Sequence, residues 1–144
     1  MKKYLISLLF ICHVLTSAAQ SDSTLYQATI ENKEYSIYMI INLYKSTITI
    51  PGQEILGTTY GYMGDRQDSR KWIIVSAQIK ADKALLTFIN DYGSEDLTAT
   101  LTVNKDHQYI LEQKSGSTLK IVRNRKWLKL PTKLIFTLNQ HLSY

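Results

Sequence analysis

From Leu25 onward, apolar side chains recur at every second position rather than every third or fourth. That is the period of a strand whose two faces meet different surroundings. Residues 34–44 (EYSIYMIINLY) put Tyr35, Ile37, Met39, Ile41 and Leu43 on one face and Glu34, Ser36 and Asn42 on the other. Residues 96–104 alternate more cleanly, with Leu97, Ala99, Leu101 and Val103 interleaved with Thr98, Thr100 and Thr102. This predicts a half-buried antiparallel strand with β-branched threonines on its wet face. Over residues 72–80 the same period predicts that Ile73, Val75, Ala77 and Ile79 point inward. Further strands are expected at 25–30, 47–50, 55–63, 84–89, 108–113, 118–123 and 133–138.

Turn formers punctuate the pattern at Glu31-Asn32-Lys33, Pro51-Gly52, Gly64-Asp65, Asn90-Asp91-Tyr92-Gly93, Asn104-Lys105-Asp106 and Ser115-Gly116. Residues 65–70 have room for one helical turn, and no other stretch past the first twenty residues carries a helical apolar stripe. About ten short strands with short connections predict an all-β domain built as an antiparallel meander, because parallel pairing needs long crossovers. Closure into a small β-barrel of about eight to ten strands removes exposed edges; a β-sandwich is the alternative.

The first nineteen residues read differently. Lys2 and Lys3 precede a mostly apolar run over 4–15, and Ser17, Ala18 and Ala19 follow it. This order predicts a secretory signal peptide cleaved near Gln20, since a run of about 12 residues is short of the ~20 needed to span a bilayer. Cys12, the only cysteine, follows Ile11 inside that run, so no lipoprotein anchor is expected. The exported chain, residues 20–144, is then one domain without cysteine, which excludes disulfides, thiolate metal sites and thiol nucleophiles. A periplasmic or extracellular location in a bacterium follows as the expectation.

Ile55-Leu56-Gly57-Thr58-Thr59-Tyr60-Gly61-Tyr62 resembles the I-x-G-x-Y-x-Y pattern of small exported bacterial β-barrel domains of uncharacterised function. The closing Leu130-Pro131-Thr132-Lys133-Leu134-Ile135-Phe136, shortly after Trp127, is similar to that group's L-P-x-x-L-x-F, and the opening strand at 25–30 also matches. Arg125 stands where the pattern has a glycine two before the tryptophan, and the strand at 72–80 lacks the pattern's glycine. The resemblance implies a fold and carries over no catalytic residue.

Candidate chemistry is sparse. His107 and His141 are isolated on a turn and near the C-terminus, and neither makes a metal site or an activated nucleophile. Asp65 and Asp68 read as turn caps, as do Asp91, Glu95 and Asp96, whose oxygens lack the D-x-D-x-D-G spacing of a calcium loop. There is no phosphate-cradling glycine motif, so no cofactor and no enzymatic activity are expected.

Charge says more. The net charge is +5, or +3 once Lys2 and Lys3 leave with the leader. Residues 105–144 carry eight Lys and Arg against Asp106 and Glu112, whereas residues 21–104 carry seven against ten acids. Arg123, Arg125, Lys126 and Lys129 surround Trp127, a composition that fits an anionic protein or envelope partner; export argues against nucleic acid. If the stretch only guards a sheet edge, Trp127 is expected to pack inward on Leu128 or Leu134. Tyr60 and Tyr62 are expected to share a strand face, as are Tyr38 and Tyr44; these tyrosines read as packing at the rim of the core, or else as a recognition surface or barrel mouth that includes Tyr60 and Tyr62. The functional expectation is an exported, non-enzymatic binding module, of inhibitor or immunity type or associated with the envelope. A lipocalin-like carrier of a small apolar ligand is the alternative.

Overall fold

Eight strands close on one another. The computed structural model describes residues 24–141, so the expected leader lies outside the described residues. The strands are β1 (Gln27–Asn32), β2 (Ile37–Asn42), β3 (Ile48–Thr49), β4 (Thr58–Thr59), β5 (Gly61–Asp65), β6 (Trp72–Lys80), β7 (Lys83–Asn90), β8 (Asp96–Val103), β9 (Tyr109–Gly116), β10 (Lys120–Arg123), β11 (Lys126–Lys129) and β12 (Lys133–Leu138). Neighbours β1, β2, β5, β6, β7, β8, β9 and β12 pair antiparallel, and β12 returns to β1 to close the barrel. The predicted meander is therefore interrupted twice, by the two-stranded ribbons β3–β4 and β10–β11.

The alternation of residues 34–44 and 96–104 decides the interior. Ile37, Met39, Ile41 and Leu43 are buried in the core with Leu97, Ala99 and Leu101. Trp72, Ile74, Leu86, Phe88, Leu111, Leu134 and Phe136 meet them, so large side chains occupy the barrel's centre.

Strand β6 departs from its expected phase. Trp72 and Ile74 point inward, Ile73 packs on the outer wall and Val75 is exposed. The register with β7 shifts between Ile74 and Ser76, and beyond this bulge Ala77 and Ile79 return to the core. One unpaired residue reverses the faces of a period-two strand, which a single alternation rule cannot foresee. Thr100 is a second correction: it is only 9% exposed, so the threonine face of β8 is not uniformly wet.

The expected strand over 55–63 is instead a 3-10 turn at Glu54–Leu56, then β4 and β5. Gly61 has φ 142, and a side chain there would collide with the Ile40 carbonyl. This kink separates Tyr60 and Tyr62, contrary to expectation. Tyr60 packs against the main core, while Tyr62 lies outside it with Ile50 and Ile73. Tyr38 and Tyr44 also part: Tyr38 meets Tyr62 edge-on at 6.1 Å, and Tyr44 lies 6.3 Å from Tyr26. Ribbon β3–β4 covers this second cluster, burying Ile50 completely. Residues 65–70 form no helix; Asp65 Oδ1 accepts from the Gln67 amide at 2.9 Å and Asp68 Oδ1 from the Arg70 amide at 3.0 Å.

Candidate functional site

The chain leaves β9 at one barrel mouth and returns to it at β12, and the excursion between them is the β10–β11 ribbon. Leu119, Ile121 and Leu130 drop from the ribbon and its base into the core, closing that mouth with apolar surface. Polar contacts hold the ribbon in place. Gln113 bridges its base, accepting from the Leu119 amide at 2.8 Å and donating to the Pro131 carbonyl at 3.0 Å. The Trp72 indole donates to the Lys120 carbonyl at 3.1 Å.

Arg123 makes the deepest polar anchor. Its guanidinium donates to Asp65 Oδ2 at 2.6 Å, to the Val122 carbonyl at 2.7 Å and to the Tyr35 carbonyl. The Asp65 side chain is 5% exposed and that of Arg123 19%. Arg123 faces Lys126 directly across the ribbon, and turning inward to Asp65 relieves that like-charge opposition.

Trp127 is 49% exposed and does not pack inward. Its indole lies 5.0 Å from the Tyr92 ring, and Tyr92 in turn meets Trp72 edge-on at 5.9 Å. Lys120 Nζ stands 4.8 Å and the Arg70 guanidinium 5.4 Å from the Trp127 ring centre, within cation–π range. Burial, then the Glu95 carboxylate, pushes the Tyr92 phenol up to about 12, with Asn90 and Arg70 acting against them and Asp91 adding to the rise. Asn90 is thus near enough to matter, yet the Tyr92 hydroxyl and Asn90 Oδ1 are buried without a well-formed hydrogen bond.

Between the 66–70 loop and this ribbon lies a groove of about 480 Å³. Gln67, Asp68, Arg70, Val122, Arg123, Asn124, Arg125, Lys126 and Trp127 line it. Four cations therefore face one carboxylate. They are not equivalent: Arg70 pairs with Asp68 at 2.7 Å and Arg123 with Asp65, whereas among the described residues Arg125 and Lys126 form no ion pair. Asn124 and Arg125 make the two-residue turn of the ribbon, both with positive φ (51 and 61). Such turns favour Asn-Gly, so Arg125 occupies a position where its Cβ is costly.

Of the residues singled out from sequence, Arg123, Arg125, Lys126 and Trp127 come together here. Lys129 sits opposite Lys120 on the ribbon, away from the groove lining. Tyr62, 3% exposed, is wall packing, and Tyr60 belongs to the core rim. Sequence reasoning missed Arg70, Gln67 and Tyr92. An aromatic inside the polar turn Asn90-Asp91-Tyr92-Gly93 was the available signal, since a turn gives a ring no local reason to be there.

The acidic residues opposite are engaged in structure. Asp91 accepts from the Lys71 amide at 2.8 Å and from Gln53 at 2.6 Å, while Glu95 binds Asn90 and Lys120, each at 2.9 Å. Among the described residues, no cluster of three or more His, Cys, Asp or Glu has the arrangement of a metal site, and no helix is long and apolar enough to cross a membrane. Comparison with protein-family models, with curated proteins and with solved structures finds no match to this chain.

Proposed function

We propose that the chain is an exported, non-enzymatic binding module that engages an anionic partner through the groove between the 66–70 loop and the β10–β11 ribbon. The partner is another protein or an envelope component, as for an inhibitor or immunity-type protein. One observation carries this reading: Trp127 stands half-exposed on a Tyr92 support, in a groove shared with Arg125 and Lys126, which form no ion pair among the described residues. Tyr92, Lys120 and Arg70 hold the indole in place, but edge protection alone gives no role to the half of it that stands in water. An aromatic anchor beside arginine, by contrast, is what dominates interface energies. The filled interior favours this outer groove over an internal ligand, because Trp72, Phe88 and Phe136 occupy the space a carried molecule would need.

The test is capture from envelope extract by the purified protein at low and high salt. Wild type should retain a stoichiometric partner at low salt and release it as screening increases. Arg125→Glu/Lys126→Glu, both on the exposed turn, should keep the circular dichroism of wild type and lose capture. Capture that ignores both salt and charge reversal overturns the reading.

A further inference from the structure

The groove offers more than charge. Gln67 and Asn124 line it, and among the described residues neither side-chain amide makes a hydrogen bond. A carboxamide both donates and accepts, which matches a hydroxyl group; a carboxylate or phosphate asks only for donors. Trp127 and Val122 add apolar surface to the same lining. The volume, about 480 Å³, falls within the roughly 300–1,000 Å³ of small-ligand sites.

We infer that the ligand class of this groove is an anionic saccharide, a sugar bearing a carboxylate or a phosphate. The inference rests on the proposed anionic-partner reading and narrows it. Hydroxyls engage Gln67 and Asn124, the anionic substituent engages Arg125 and Lys126, and a C–H edge of the sugar rests on the indole. An acidic peptide pairs its backbone with the same amides, so the oligoglutamate arm of the test distinguishes it.

The test is tryptophan fluorescence titration of the purified protein. Trp127 is the exposed reporter, and Trp127→Phe leaves the buried Trp72 as the silent reference. The probes are an oligogalacturonate, a hexose phosphate, a neutral oligosaccharide of matched length, inorganic phosphate and an oligoglutamate. Saturable binding of the uronate or the hexose phosphate, about tenfold or more tighter than the neutral sugar and the oligoglutamate, is expected. Which of the two anionic sugars wins tells a carboxylated from a phosphorylated source. Arg125→Ala should weaken that binding about tenfold. Asn124→Gly, which keeps the turn's backbone, should weaken it about fivefold and leave inorganic phosphate unaffected. Oligoglutamate binding as well as the sugars, or inorganic phosphate matching the hexose phosphate, overturns the saccharide inference and leaves the anionic-partner reading standing. Absence of saccharide binding overturns it as well; only charge-insensitive capture from extract removes both.

Discussion

Arg123 and Asp65 are 58 residues apart in the chain and 2.6 Å apart in space, where β5 ends and the β10–β11 ribbon crosses the barrel mouth. The pair joins the lid of the core to its wall. Removing one partner strands the other in a poorly solvated place, so Arg123→Ala should cost about 2–4 kcal/mol. Arg123→Lys should recover little, because the guanidinium also serves the Tyr35 and Val122 carbonyls. Urea denaturation of Arg123→Ala, Asp65→Ala and the double variant measures this; a coupling near zero would contradict the anchoring role. The same pair forbids using Arg123 in any charge-reversal test of binding.

Arg125 should show the opposite balance. Arg125→Gly relieves a left-handed backbone and should stabilise the fold by up to about 1 kcal/mol. It also deletes a groove cation, so affinity for the anionic partner should fall. Stability and binding measured on the same preparation must move in opposite directions; a variant that loses stability would remove the argument for strain.

Alkaline pH separates two tyrosines. Tyr92 and Tyr26 are both pushed up to about 12 from an ordinary 10.0, burial being the largest cause in each. A phenol raised in the folded state favours folding while protonated. Its contribution is whole below about pH 10 and is lost as pH climbs towards about 12. Unfolding midpoints should therefore fall across that window. Tyr92→Phe, which gives up no well-formed hydrogen bond, should change neutral-pH stability by under about 0.5 kcal/mol and flatten the alkaline decline. Tyr26→Phe should cost about 1–2 kcal/mol at neutral pH, since its single hydroxyl proton is shared between the Asp82 and Leu101 carbonyls at 2.6 and 3.1 Å. Matching pH profiles for wild type and Tyr92→Phe would contradict this.

Leu101 tests the register of β8. It is fully buried, so Leu101→Ala should cost about 2–4 kcal/mol through lost transfer energy and a cavity. Thr102, on the opposite face, should cost well under about 1 kcal/mol when changed to Ala. Equal losses in thermal denaturation would contradict this register.

The period-two pattern alone determined that this chain is an antiparallel β-structure. It also fixed which residues of β2 and β8 face inward, because burying one face of a strand forces every second side chain to be apolar. The basic stretch around Trp127 was equally visible, since charge is a property of composition. What tertiary structure decided is where alternation and local sequence carry no information. The bulge after Ile74 reversed the inward face of β6 with no change in residue types. The kink at Gly61 sent Tyr60 and Tyr62 to opposite sides of the wall. Closure brought the 66–70 loop against the ribbon, so that Arg70 and Gln67 joined Trp127 in one groove while Arg123 turned from ligand candidate into structural anchor. Strand periodicity reports only the nearest neighbours along a chain, whereas a groove assembled from two distant loops depends on strand order and on how far each ribbon folds back across the barrel.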